Sequence, residues 1–274
     1  MNLAQTTTDD GCKITYRLWG ASNPKARIAL VHSLAMDGAF WTETVTALGP
    51  DIEVLAIDCR GHGQSDKPAG PYDIDTFADD LSAAMDDAGW DTATVAGASM
   101  GGCVALAFAA RHPDRCSALG LIDTTATYGP GAEKPWEGRA QKALTEGMGV
   151  LADFQRDRWF SEPFRTAHPD RVDAAIAVFM ANDTAAFAET CRMLGRVDLS
   201  GALPAFTMPT EIIVGEHDYA TPPDMARAMQ QAIPDAKMQI LPDMRHLTPL
   251  EVPDVVAAML RRLTLPDSAT GHAG

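Results

Sequence analysis

Ser99 stands inside Gly97-x-Ser99-x-Gly101, between the apolar run Thr94-Val95-Ala96 and an Ala-rich helical pattern that leaves Gly101. A serine at such a sharp strand-to-helix turn is lifted above the sheet with its hydroxyl available as a nucleophile. The flanking glycines fit for a mechanical reason. The turn forces two backbones close together, and a Cβ at 97 or 101 would clash. The start of the helix adds free N–H groups and the positive end of its dipole. The same residues also suit a plain Gly/Ser turn between a buried strand and a helix, so the chemistry depends on what else the chain supplies. A serine nucleophile needs a histidine, an acid and two oxyanion donors.

On an elbow of this kind the acid and then the histidine follow the serine along the chain. Downstream, His112 precedes Pro113 at a helix end, His168 falls in a helical stretch and His272 lies in the tail. His246 follows the last predicted strand in Asp243-Met244-Arg245-His246-Leu247-Thr248-Pro249, ahead of the final helix, and is the expected base. A surface-loop histidine is the alternative. Asp218 lies three residues past Gly215, where another strand ends, and is the expected acid. An Asx-turn would also account for it, and Glu216 and Asp123 stand as fallback acids. His217, its neighbour, is expected to face away. The two oxyanion donors are expected to be the backbone N–H groups of Met100, next to the nucleophile, and Leu34. Removing one such donor typically costs about 10²–10³ in turnover.

These residues need a scaffold that delivers them to one place. Lys13–Trp19 alternates as a half-buried edge strand does. Arg27–Val31, Glu53–Ile57, Thr94–Ala98 and Ser117–Ile122 are continuous apolar runs, the mark of strands covered on both faces. Thr210–Gly215 and Lys237–Leu241 continue the series. Helical patterns occupy Phe40–Leu48, Ile74–Ala88, the stretch after Gly101, Pro222–Ala232 and His246–Leu263. Alternating strands and helices predict a mostly parallel α/β sheet, with its ligand site beyond the carboxyl ends of the strands. His32, Asp58, Ser99, Asp123 and Gly215 all fall just past such ends.

Between 124 and 206 the alternation stops. Gly129-Pro130-Gly131 and Glu133-Lys134-Pro135 read as loop, followed by helical patterns at Ala140–Met148, Leu151–Phe160, Val172–Asn182 and Ala185–Leu194. The expected organisation is a core of residues 1–123 and 207–264, a helical cap of 124–206, and a disordered tail of 265–274. A separate helical domain is the alternative for the insert.

Composition bounds the function. The chain of 274 residues is 46% hydrophobic with no apolar run long enough to span a membrane, and its N-terminus lacks the pattern of a signal peptide. A formal charge of −15 argues against nucleic acid or an anionic membrane surface as partner. Five scattered cysteines without a C-x-x-C leave disulfide and zinc frameworks unsupported. The expectation is a cytoplasmic enzyme with no cofactor and no metal, acting on a small molecule; a homo-oligomer stays open.

With these residues in place, the chain resembles the α/β-hydrolase superfamily up to about residue 264, and within it the 3-oxoadipate enol-lactonases. The likeness is carried by Ser33-Leu34-Ala35-Met36-Asp37 with Trp41, and by Asp58-Cys59-Arg60-Gly61-His62-Gly63 continuing to Pro71-Tyr72. Ser99-Met100-Gly101-Gly102, and Gly129-Pro130 with Trp136-Glu137-Gly138-Arg139, complete it. His32 replaces the family's usual Asn, and Asp123-Thr124-Thr125 stands where Asn-Thr-Ser is common. The resemblance implies an α/β-hydrolase fold with a helical cap and a serine hydrolase that opens an ester or lactone through an acyl-enzyme. In the cap, Trp136, Arg139, Trp159 and Phe160 are candidates for substrate contact, together with Ser33 of the first loop; cap core for the aromatics and a solvated charge for Arg139 are the alternatives, and a carboxylate on the substrate is expected if Arg139 or Arg192 turns inward. A general carboxylesterase and a cofactor-free haloperoxidase or perhydrolase are the enzymic alternatives; a non-catalytic ligand receptor on the same fold is the other.

Overall fold

The computed structural model describes residues 1–21 and 24–265; the tail expected to be disordered lies, from Pro266 onward, outside the described residues. Eight strands form one sheet: β1 (Asn2–Thr7), β2 (Lys13–Trp19), β3 (Ala26–Val31), β4 (Ile52–Ile57), β5 (Ala93–Ala98), β6 (Cys116–Ile122), β7 (Thr210–Gly215) and β8 (Lys237–Leu241). Their order is β1-β2-β4-β3-β5-β6-β7-β8. From β4 to β8 every neighbour pair is parallel, while β1 and β2 are antiparallel additions at one edge. The continuous apolar runs sit where both faces are covered: all residues of β5 and β7 are buried.

β1 is a correction to the sequence reading. Lys13–Trp19 is not the edge; Asn2–Thr7 pairs outside it in register Asn2↔Leu18 to Thr7↔Lys13. The exposure of β1 alternates between exposed and half-buried without a fully buried position, so no apolar periodicity announces it.

Around the sheet, α1 (Thr42–Leu48) packs on α11 (Pro253–Thr264), and α2 (Ile74–Asp87) packs on α3 (Met100–Arg111). α9 (Pro223–Ala232) lies against β7 and β8. α3 is buried along ten consecutive residues, Met100 to Ala109, which places the helix that follows Ser99 in the centre of the core. The expected last helix is two pieces, α10 (Thr248–Glu251) and α11, broken at Val252 before Pro253.

Between β6 and β7 five helices follow one another: α4 (Glu133–Glu146), α5 (Gly149–Trp159), α6 (Glu162–Ala167), α7 (Pro169–Met180) and α8 (Thr184–Arg196). α4 begins earlier than expected because Pro135 falls in its first turn, where no intrahelical N–H bond is lost. α6 is too short for its periodicity to be read. Among the described residues no helix is long and apolar enough to cross a membrane.

Candidate active site

The turn from β5 to α3 is as sharp as its residues require. Ser99 has φ 54° and ψ −118°, a strained backbone for a non-glycine residue. A Cβ on Gly97 would lie 2.0 Å from the carbonyl oxygen of Gly101, and one on Gly101 would lie 2.1 Å from that of Val31. Only glycine lets the strand, the turn and β3 come this close.

His246 arrives from the loop between β8 and α10. Its Nε2 is 2.9 Å from Ser99 Oγ and its Nδ1 is 2.8 Å from Asp218 Oδ2. All three residues are buried. Asp218 is itself fixed: Oδ1 accepts the N–H groups of Ala220 at 2.8 Å and Thr221 at 3.0 Å, and Oδ2 accepts the Thr221 hydroxyl at 2.9 Å. The Asx-turn and the histidine contact therefore coexist in one carboxylate. The fallback acids lie elsewhere. Asp123 accepts Gly215 N–H at 3.1 Å, Thr248 N–H at 2.9 Å and the Thr248 hydroxyl at 2.7 Å. Burial, with the charge of Asp218 nearby, pushes its carboxyl well above the usual carboxylate range. Glu216 is exposed and accepts Asp243 N–H. His217 is exposed as well, with Nε2 3.9 Å from Asp243.

The loop after β3 carries Leu34, whose N–H, like that of Met100, donates to no other group among the described residues. Ala35 takes φ 61°, so the chain reverses just past Leu34. His32 braces this loop from within. Its Nε2 accepts Cys59 N–H at 3.0 Å, so its Nδ1 carries the proton and donates to the carbonyl of Ser33 at 2.8 Å. Burial lowers its pKa, and the ring of His62, 5.1 Å away, is pushed down to about 3 by burial and by His32. Asp58 holds the same loop to the next one, accepting Gly38 N–H at 2.7 Å, Gln64 N–H at 2.8 Å and the Arg17 guanidinium.

A cavity of about 160 Å³ opens onto Ser99 and His246. Ser33, Leu34, Trp136, Arg139 and Trp159 line it, whereas Phe160 is fully buried and does not. Met100 is fully buried beside the serine. Sequence reading missed Tyr128, Tyr219 and Ala220, which complete the wall. The position of Tyr219 and Ala220 directly after Asp218 was the available signal.

Arg139 stacks on Trp136 and Phe187, with its guanidinium 5.7 Å from each ring centre. Among the described residues it has no carboxylate partner, and its buried Nε is unpaired. Arg192, the other candidate, is spent: it makes two bonds to Glu137 and one to Glu189, and does not line the cavity. The cavity thus meets the Ser99 hydroxyl and the His246 imidazole backed by Asp218, with the backbone N–H groups of Leu34, a lining residue, and of Met100, the serine's neighbour in the chain, and the guanidinium of Arg139 in its wall. Outside it, exposed Glu216, His217 and Asp243 bring ligand-type atoms within 4.8 Å of one another.

The family model of the alpha/beta hydrolase fold matches residues 27–253. The enol-lactonase from Burkholderia xenovorans LB400 superposes with a TM-score of 0.89 at 34% identity, over 95% of this chain and 99% of that one. A thermophilic esterase from Thermogutta terrifontis, determined with malate bound, gives 0.88 at 28% identity, over 96% and 97%. The curated 3-oxoadipate enol-lactonase 2 of Acinetobacter baylyi is 26% identical over 261 residues, 94% of this chain and 96% of that protein. The chain belongs to the alpha/beta hydrolase fold family, and its relatives include enol-lactonases.

Proposed function

We propose that the protein hydrolyses a small, carboxylate-bearing ester or lactone through an acyl-enzyme, with a Ser99-His246-Asp218 triad. The observation that carries this reading is the unbroken chain from Ser99 Oγ through the imidazole to Asp218, at 2.9 and 2.8 Å. Ser99 attacks the carbonyl carbon as His246 Nε2 takes its proton; Asp218 holds the imidazole through Nδ1–H and stabilises its charged form. The N–H groups of Leu34 and Met100 receive the developing oxyanion. The histidine returns its proton to the leaving oxygen, then activates water to release the acid. In a lactone the leaving oxygen stays tethered to the acyl group, so one opened product departs after deacylation.

Residues 124–206 act as the cap that shapes this pocket. A cavity of about 160 Å³ suits a substrate well below drug size. Ser33, Trp136 and Trp159 form its walls, and Arg139 pairs with the substrate carboxylate. The Thermogutta esterase was determined with malate, a dicarboxylate, bound, which is in keeping with an anionic ligand. The test is a kinetic panel of 3-oxoadipate enol-lactone, neutral and anionic aryl esters, methyl esters and peracid formation. Enol-lactone and anionic esters are expected to give the highest kcat/KM, and Ser99→Ala to abolish turnover. Full activity in that variant would end the proposal, and binding without turnover would make the protein a receptor.

A further inference from the structure

Glu251 closes α10 and is buried, at 8% exposure. Among the described residues no cation pairs with it; its partners are all N–H and O–H donors. An unpaired buried carboxylate is costly, so its hydrogen bonds matter. Oε2 accepts both the N–H of Ser161 at 3.0 Å and its hydroxyl at 2.5 Å. Oε1 accepts the N–H of Arg245 at 3.2 Å.

Those partners belong to two different parts of the site. Ser161 lies two residues beyond Trp159, a wall of the catalytic cavity, and caps α6. Arg245 immediately precedes His246. On the other side of the histidine, Leu247 N–H donates to the carbonyl of Trp159 itself at 3.2 Å. Both chain neighbours of His246 are therefore tied to the segment 159–161, one directly and one through Glu251. From beneath, Asp123 holds the same loop by Thr248.

We propose that Glu251 is a positioning residue that sets the Trp159 wall and the His246 imidazole relative to one another, so that substrate fit and base geometry are coupled. This rests on the hydrolytic reading of Ser99 and His246. Glu251→Gln isolates the coupling. An amide has one accepting oxygen; whichever end faces Ser161, either that junction or the Arg245 junction loses its acceptor.

Two readouts separate the halves. Methanesulfonyl fluoride is too small to depend on the cavity wall, so its rate of inactivation reports Ser99 activated by His246. The KM of phenyl acetate reports the wall. In folded Glu251→Gln the inactivation rate is expected to fall on the order of 10-fold or more, as misplaced catalytic groups do. The KM is expected to rise about threefold or more as the wall loosens. A change in only one readout, or a lowered Tm with both unchanged, overturns the coupling. Should Glu251→Gln fail to fold, Ser161→Ala removes the hydroxyl donor to Glu251 together with the long cap bond to Phe164 N–H, and is expected to move both readouts in the same directions, by roughly twofold; failure to do so overturns the proposal equally. Wild-type protein that resists methanesulfonyl fluoride would instead refute the hydrolytic reading.

Discussion

Asp218→Asn tests the triad at the point where the structure makes the sharpest statement. The two backbone donors at Oδ1, Ala220 N–H and Thr221 N–H, cannot turn away. An asparagine must therefore keep its oxygen there and place its NH₂ where Oδ2 stood. Thr221 tolerates this, since its hydroxyl can accept instead of donate. His246 cannot. Its Nδ1 now faces a donor and must accept, so the proton moves to Nε2, which then donates to Ser99 Oγ and has no free lone pair for the serine proton. The fold is left intact while the base is disabled. A wrong tautomer of this kind costs about 10⁴ in kcat, equivalent to roughly 5.5 kcal/mol of barrier. The assay is kcat for the best ester of the kinetic panel, with near-UV circular dichroism to verify packing. An Asp218→Asn enzyme within about tenfold of wild type would refute the assignment. So would a larger loss from Asp123→Asn, since the Asp123 oxygens are bound to Gly215 and Thr248 rather than to His246.

Arg139→Met is expected to raise KM for anionic esters by about 10–100-fold, the value of a charge-assisted pair, and to leave neutral esters of the same shape within about threefold. Arg192→Met is the control, expected to change neither series by more than about threefold because Glu137 and Glu189 already occupy that guanidinium. Gly101→Ala drives a methyl into the Val31 carbonyl and is expected to cost about 3 kcal/mol in urea unfolding. The pH dependence of stability carries the mark of His62, whose pKa falls from 6.5 to about 3 on folding. Below pH 6.5 the unfolded chain takes up a proton that the folded chain refuses, so stability is lost as pH falls towards 3. Between pH 6.5 and 4.5, wild-type stability is expected to fall by about 2–3 kcal/mol more than that of His62→Gln. Parallel slopes for the two proteins would show that His62 titrates normally.

How much of this was legible before the fold was known depends on the range over which each feature is determined. The elbow was readable because its pattern is local: Gly97, Ser99 and Gly101 fall within five residues, even though what excludes a Cβ at Gly101 is the carbonyl of Val31 on β3. Asp218 and His246 could be placed after strands, and hence at one edge of the sheet. Chain order left both Asp123 and Asp218 open, since each follows a buried strand and lies between Ser99 and His246; which carboxylate reaches the imidazole is decided by the three-dimensional path. β1 was invisible because its register with β2 supplies a structure that its own pattern does not. Pro135 read as loop and stands in the first turn of α4, where a proline is tolerated as readily as in a loop. Tyr128 was missed because it sits in a loop with no period at all, where only the three-dimensional path decides which side chain enters the cavity. The same holds for Glu251, whose partners lie 90 and 6 residues away.

β6 and β7 are immediate neighbours in the sheet, joined in parallel from Leu119↔Thr210 to Ile122↔Ile213. The five helices between them are therefore an excursion from a ladder that closes behind them. Lengthening, shortening or recombining that excursion leaves every strand pair of the core in register, provided the chain returns to Thr210. Tyr128, Trp136, Arg139 and Trp159 of the cavity lining belong to this excursion, so that wall can vary without breaking a strand pair, within the limits set by the Glu251 and Leu247 ties to the His246 loop. A lineage built this way can change what it acts upon without relearning how to fold.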